Sequence, residues 1–429
     1  MILAVDLGST SFKAAVYDRR LTLLGRGSAS LAYVYGRHGQ VELEPAVCDR
    51  AAARAVKQAL ASARIAPTSL SAVSVTSQAQ TFAVLSPGGR LKTRFLSWQD
   101  ERSFRQAQAL SRRRGLADFA AHSSFREILG ALQLAQVARL QEEHPGLIRP
   151  ADRLLHLPTY YIWRWCGPAV MDANLAAMSG LYSLRLGGWW PAALRACGVR
   201  ADQLAEVRPV GSVGAVTAPE ARAFGLAQGI PVVLAGNDQT AGAYGARLHE
   251  SGRALMTLGT AHVLYVCQAK PARPGTAMIR GPYPGGRFYQ MAADGCGGNV
   301  VNWAAQTLGL SLDDFFEQAA RAPDGCQGLI FNPELPSGAG AWTGLGLRHT
   351  RADLARSVLE ALVRRLVGMA RAAGLRPGSR AGLALAGGGS RRPIWKDLLS
   401  RALGLRVEPA EGEPLTGAAA MARAALSET

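Results

Sequence analysis

Two acidic residues stand where an apolar run hands over to a glycine-rich or small-residue stretch. Asp6 lies in AVDLGSTSFKAAVYD, just ahead of Gly8, Ser9, Thr10 and Ser11, and Asp238 lies in VVLAGNDQTAGAYGA, just ahead of Ala241, Gly242 and Ala243. Backbone N–H groups in a glycine turn approach phosphate oxygens closely because no Cβ intervenes, and neighbouring hydroxyls add donors. The Gly8 to Ser11 turn qualifies, as do Gly259 and Thr260 in MTLGTAHVLY. An acid beside bound phosphates repels them unless a divalent cation lies between, so Asp6 points to Mg²⁺, held directly or through water. Lys13 could add a cation; an exposed position on an alternating strand explains it equally well. Asp238 follows a buried strand, at the sheet edge where ligands bind in α/β proteins, and could accept a hydroxyl proton during phosphoryl transfer. The competing reading is a helix N-cap, a position that favours Asp.

Two further stretches carry recognition chemistry. Gly387, Gly388, Gly389 and Ser390 fall between a strand and a helix, where a flat nucleoside can pack on bare backbone, although a triple glycine is also an ordinary tight turn. In SWQDERS, Trp98, Asp100 and Arg102 alternate, and alternation puts all three on one face of an extended segment. An aromatic plate flanked by groups of both signs suits a polyhydroxylated ligand, and a surface ion pair beside a packed Trp is the plainer alternative. No G-x-x-x-x-G-K-[ST] occurs, which excludes the P-loop solution, and the protein-kinase motif set is absent as well.

The elements that must position these residues alternate between strand and helix. Residues 2–6, 11–17 and 21–28 read as strands, 47–63 as a helix, 73–76 as a buried strand, and 81–85 as its hairpin-like partner. Helical patterns dominate 101–149. Strand 232–235 leads into helix-like 239–246. Strand 253–258 then runs through Gly259 and Thr260 into strand-like 262–266, repeating the opening device of strand, turn and strand. A helix over 353–373, a strand at 382–385 and a helix over 393–403 complete the pattern. The repeat suggests a duplicated architecture, each half offering a phosphate-binding turn to a shared cleft.

At 429 residues the chain exceeds the ~250–300 at which one core stops growing, so two domains are expected. The six cysteines show no paired spacing, which disfavours a zinc site or a disulfide framework and fits a reducing cytoplasm. The start has no basic leader and no run of ~18 apolar residues occurs, so neither export nor membrane insertion is expected. The net charge of +17 comes mostly from arginines spread along the chain, with no basic cluster interleaved with aromatics; it reads as a solvated surface that would favour an anionic small substrate over nucleic acid.

The ordered motifs together resemble the FGGY family of carbohydrate kinases, of the actin, hexokinase and heat-shock-70 ATPase superfamily. AVDLGSTSFKAAVYD resembles its first phosphate motif, GRHGQVELEP a segment ending in Glu and Pro, and WQDERS its sugar-side W-x-D-x-R. AGNDQTAGAYGA resembles the segment of the catalytic aspartate, MTLGTAHVLY the second phosphate motif, and LALAGGGSRRPIWKDLLSRALGLRV the adenosine motif. Most specific is 340–360, GAWTGLGLRHTRADLARSVLE, which is similar to the C-terminal signature from Gly340, Trp342, Gly344 and Leu345 to Asp353, Leu354, Ser357 and Glu360.

The resemblance implies an α/β fold of two ribonuclease-H-like (actin-like ATPase) domains, each a mixed sheet flanked by helices, with an interdomain cleft. The expected division is 1–247, binding sugar and carrying the first phosphate motif, and 248–429, carrying the second phosphate and adenosine motifs. It further implies ATP and Mg²⁺, Asp238 as general base, and Asp6 as metal site. Gly8, Ser9, Thr10, Ser11, Lys13, Gly259, Thr260, Gly387, Gly388, Gly389 and Ser390 fall to the nucleotide, and Gln78, Gln80, Trp98, Asp100, Arg102 and Asp238 to the acceptor.

Departures fall on the acceptor side. In SVTSQAQTF, glycerol kinases would show Arg-Glu and xylulokinases Met-His where this chain has Ala79 and Gln80. The usual A-S-R-T or A-S-G-T is replaced by Ala176, Ala177, Met178 and Ser179, and the loop before the C-terminal signature is shortened to NPELPSGAGAW. The expectation is an ATP-dependent kinase of a sugar, a ketose such as a pentulose being favoured, most similar to the xylulokinase-like subgroup. A glycerol or other polyol kinase and a catalytically weak sugar- and nucleotide-binding sensor are the alternatives. The expected partner is a small sugar or polyol, with no nucleic acid and no membrane; a homodimer is left open.

Overall fold

The computed structural model describes residues 1–335, 338–378, 382–410 and 412–427. The chain forms two compact units. The first comprises Met1–Gly245, Ala269–Tyr289 and a C-terminal piece beginning at Glu413; the second comprises Ala246–Gln268 and Gln290–Gly412.

The first unit is built on a six-stranded mixed sheet in the order Val213–Val216, Pro231–Asn237, Ala72–Ser77, Ile2–Leu7, Ser11–Tyr17, Leu23–Ser30. Ile2–Leu7 lies between a parallel and an antiparallel neighbour and is buried along its whole length, Asp6 included. Helices cover both faces, which explains why the central strands read as continuous apolar runs. The alanine face of helix Pro45–Ala63 (Ala51, Ala52, Ala55, Ala59) packs on Ser11–Tyr17 and Leu23–Ser30. A Cβ on Gly25 would stand 2.7 Å from Ala59 O, so only glycine lets helix and strand approach this closely. Helix Pro414–Ser427 covers the other face over Ile2, Ala4, Ala15, Tyr17 and Ala235.

Two local expectations are corrected here. Phe82–Leu85 does not form a hairpin with the 72–77 strand; it pairs with Phe95–Leu96 and Arg153–His156 in a separate five-stranded antiparallel sheet. Gln80, held at φ +68°, turns the chain out of the first sheet between them. The 101–149 region is helical only in pieces, at Phe104–Ser111, Phe119–His122 and Gln133–Glu143.

In the second unit Ala254–Leu258 is antiparallel to His262–Gln268 and parallel to Leu383–Ala386, which in turn runs parallel to Val407–Pro409. Helices Gly298–Thr307, Leu312–Arg321, Arg351–Ala372 and Pro393–Leu403 enclose one core around Leu258, Leu264, Leu362 and Trp395. The 340–360 stretch acts as scaffold: Thr350 and Asp353 form a capping box, Gly344 sits at φ +83°, and Trp342 Nε1 donates to Ser357 Oγ at 3.0 Å. The shortened loop before it includes residues 336 and 337, which lie outside the described residues.

Candidate functional site

In the first unit, parallel pairing sets Asp6 beside Thr76, and the hairpin sets it opposite Lys13. Asp6 is 6 % exposed and its Oδ1 has no hydrogen-bond partner among the described residues. Both carboxylate oxygens lie 3.6 Å from where a Cβ on Gly8 would stand, so the acid faces the Gly8 turn. Ser9, Thr10 and Ser11 are partly or fully exposed in that turn, and Thr10 O accepts from Leu31 N at 3.0 Å. Burial, together with the negative charge of Asp238, pushes the Asp6 carboxyl up to about 7; Lys13 opposes the shift and Glu413 adds to it.

Asp238 opens helix Asp238–Gly245 but does not cap it. The cap is Asn237, whose Oδ1 accepts from Thr240 N at 2.9 Å, while the Asp238 carboxylate accepts from Gln239 N at 2.8 Å. The preceding strand end is bracketed by residues to which the sequence motifs assign no role. Asp172 Oδ2 accepts from Gly236 N at 3.2 Å, Asn174 Oδ1 accepts from Asn237 N at 3.0 Å, and Thr76 Oγ1 donates to Gly236 O at 2.9 Å. Gly236 holds φ +69°, and a Cβ there would come within 3.1 Å of Asn174 Oδ1. Burial raises the Asp238 carboxyl above its ordinary value, with the Gln239 contacts and Lys13 pulling the other way. Asp6, Lys13 and Asp238 thus form one electrostatic group.

The acceptor-side residues divide. Gln78 is buried, donates through Nε2 to Gly8 O at 3.3 Å, and accepts from Thr81 Oγ1 at 3.2 Å; Thr81 Oγ1 in turn accepts from Trp98 N at 3.3 Å. Gln80 donates through Nε2 to Met178 O at 3.1 Å. The 97–103 stretch is a turn rather than an extended segment, so alternation is not what relates these residues; Trp98 and Asp100 border one cavity and Arg102 bonds Asp100. Trp98 is 40 % exposed, whereas Asp100 is fully buried and accepts from Val41 N and from Arg102. The Arg102 guanidinium reaches Asp100 at 2.6 Å and Glu42 at 2.5 Å, committing its charge to the protein itself.

In the second unit a cavity of ≈450 Å³ joins the Gly259 and Thr260 turn to Gly388 and Gly389, with Phe316 and Arg392 among its walls. Gly387, at φ +84°, lies under the turn; a Cβ on it would come within 2.8 Å of Leu258 O. Ser390 closes the same turn by donating through Oγ to Gly387 O at 2.7 Å. The carbonyls of Gly259 and Thr260 accept from Gly298 N and Asn299 N, which fixes the turn on a helix start. Arg392 lies 5.1 Å over the Phe316 ring and pairs with Asp313 at 2.5 Å. His262, also lining the cavity, packs edge-on against Trp395, and burial lowers its imidazole to about 4, so it stays neutral. Phe316 had no sequence signal; Arg392 and His262 lay inside quoted motifs without an assigned role.

Two mixed-sheet units, each with a strand–turn–strand hairpin and one with a cavity joining a hydroxyl-bearing glycine turn to a triple-glycine turn, define a two-domain α/β protein of the actin-like ATPase class. Residues 1–245 match the N-terminal domain of the FGGY family of carbohydrate kinases and residues 254–426 its C-terminal domain. The chain belongs to that family.

It is 27 % identical over 307 residues to the xylulose kinase of Escherichia coli, a match covering 67 % of this chain and 63 % of that one. It is 28 % identical over 284 residues to the glycerol kinase of Thermococcus onnurineus, covering 63 % and 55 %. The chain thus spans less than two thirds of the length of these relatives. The ligand-bound xylulose kinase of Lactobacillus acidophilus shares the fold with a TM-score of 0.91 at 21 % identity, over all of this chain and 90 % of that one. Among the described residues no helix is long and apolar enough to cross a membrane.

Proposed function

We propose that the protein transfers the γ-phosphoryl group of ATP to a hydroxyl of a sugar or polyol, a ketose such as a pentulose being favoured, with Asp238 as general base. The observation that carries this reading is the release of Asp238 from helix capping by Asn237, in a partly buried setting that raises its proton affinity. The acceptor O–H gives its proton to the Asp238 carboxylate as its oxygen bonds to the γ-phosphorus, and ADP departs with the bond it breaks.

Asp6 fits Mg²⁺: it offers a buried oxygen without a partner, and among the described residues no three His, Cys, Asp or Glu gather into a cage. Mg²⁺ characteristically takes one or two carboxylates with water and substrate phosphates, and when bound it neutralises phosphate charge. In this reading residues 1–247 serve the acceptor and the first phosphate turn, and 248–429 the second phosphate turn and the adenosine.

The acceptor is favoured as uncharged, because Gln78 and Gln80 are neutral amides and Arg102 is already paired with Asp100 and Glu42. The absent Arg-Glu pair argues against glycerol. A cytoplasmic setting, where ATP is supplied, suits six cysteines that show no paired spacing in the sequence. The test is an ADP-release screen across ketoses, aldoses and polyols with Mg²⁺. Stimulation by a ketose supports the reading, stimulation by glycerol alone moves it to the polyol alternative, and tight sugar binding without turnover identifies a sensor.

A further inference from the structure

Positions 79–80 and 176–179, both rebuilt relative to the family pattern, lie far apart in sequence yet meet in the first unit. Gln80 Nε2 donates to Met178 O at 3.1 Å, and Ala79 packs against the cluster of Met171, Ala176 and Ala177. Met178 also faces the other way: its Sδ accepts from Asn237 Nδ2 at 3.4 Å. Asn237 caps the helix that begins with Asp238. Met178 is 5 % exposed, so its side chain is packed rather than free. Gln80 is held in the left-handed region, which costs a non-glycine residue ~1–3 kcal/mol unless the surroundings enforce it. The Met178 carbonyl anchors the far end of the Gln80 side chain.

Resting on the kinase reading, we infer that Met178 is a positioning residue for acceptor choice. It sets the stance of the Gln80 amide through its carbonyl and of the Asp238 helix start through its sulfur contact with Asn237, so positions 80 and 178 specify the acceptor jointly. Neither position alone then determines which hydroxyl reaches Asp238. An unbranched, adaptable thioether suits such a contact, since it fills an irregular gap between two polar groups.

A double-mutant cycle tests this with Gln80→Ala, Met178→Ala and the double variant, using the best acceptor of the screen and its two nearest competitors. Gln80→Ala is expected to raise the acceptor KM about tenfold, the worth of one lost hydrogen bond to a ligand. Met178→Ala is expected to raise it as well and to reorder the acceptors, while the KM for ATP stays unchanged. The double variant should be better than the product of the two single effects by at least about threefold, because losing the Met178 side chain shifts the carbonyl that the Gln80 amide bonds, and without that amide the shift has nothing further to disturb. Met178→Leu, which keeps the packed volume and loses only the sulfur contact with Asn237, should shift the acceptor KM in the same direction as Met178→Ala and less far.

Multiplicative effects in the double variant overturn the inference, as does a Met178→Ala protein with lower thermal stability but unchanged KM and acceptor order. Should the alanine variants fail to fold, the cycle is run with Gln80→Asn, which tolerates the left-handed backbone, and Met178→Leu. In that cycle acceptor binding by calorimetry must still be non-additive for the inference to stand. A wild-type chain that turns over no acceptor removes the kinase reading and this inference with it; turnover with additive variants removes the inference alone.

Discussion

The two hairpins share a plan and differ in charge. In the first, Leu7 pairs with Phe12 across the Gly8 to Ser11 turn, and the next pair inward is Asp6 with Lys13. In the second, Leu258 pairs with His262 across Gly259 to Ala261, and the next pair is Thr257 with Val263. One hairpin carries an acid and a base behind its turn; the other carries none and opens on a cavity instead. A buried carboxylate with an unpartnered oxygen is costly, so it persists only where something else meets it. A repeated turn therefore does not carry a repeated role. The first hairpin sets charged residues behind its turn, and the second borders a cavity.

The most severe way to break that contrast is Asp238→Asn, which keeps volume but removes the base. It should lower kcat by about 10²–10⁴-fold with little change in acceptor KM, measured by ADP release. In the wild type, kcat/KM should fall as pH drops through the raised Asp238 pKa, above the range of an ordinary carboxylate. Retention of full transfer by the variant would remove Asp238 from the chemistry.

Asp6→Asn comes next. It should weaken Mg·ATP use far more than acceptor binding, and it should also stabilise the fold at alkaline pH. The folded pKa of about 7 lies above the ordinary aspartate value of 3.8, so the folded chain holds the extra proton between these values, and wild-type stability falls as pH rises through that window. The variant should therefore melt several degrees above wild type at pH 8, and the gain should vanish below about pH 4. Equal loss of nucleotide and acceptor binding would make Asp6 structural.

For the cavity-bordering hairpin, Gly387→Ala should loosen Mg·ADP binding by an order of magnitude. The position needs φ +84° and its Cβ would meet Leu258 O, while nothing charged is altered. The mildest test is Arg392→Ala, which removes a cavity wall stacked on Phe316 and should cost ADP affinity about threefold with the acceptor KM unchanged.

Periodicity marked strand and helix well where burial falls on a regular face; the antiparallel strand at 11–17 and the helix at 393–403 match their elements end to end. It missed helix Pro414–Ser427, where alanine and leucine surround the helix without a clear polar face because it packs against both the sheet and helix Asp238–Gly245. Gly417 there lies against Ala241 O, a backbone contact that no local pattern records. The alternation of Trp98, Asp100 and Arg102 implies a shared face only if the backbone is extended, and the segment is instead a turn in which Asp100 and Arg102 satisfy each other.

Residue types at short, fixed spacing are enough to identify the family, the two glycine turns and the two acids, because each of these is a local property of the chain. Folding in three dimensions settles which acids are buried, that Asn237 rather than Asp238 caps the helix, and that Gln80 meets Met178. The burial of Asp6 and the meeting of Gln80 with Met178 depend on segments tens to hundreds of residues apart, where desolvation and hydrogen-bond geometry act, while the choice of cap is local but falls between two adjacent residues of equally favoured type.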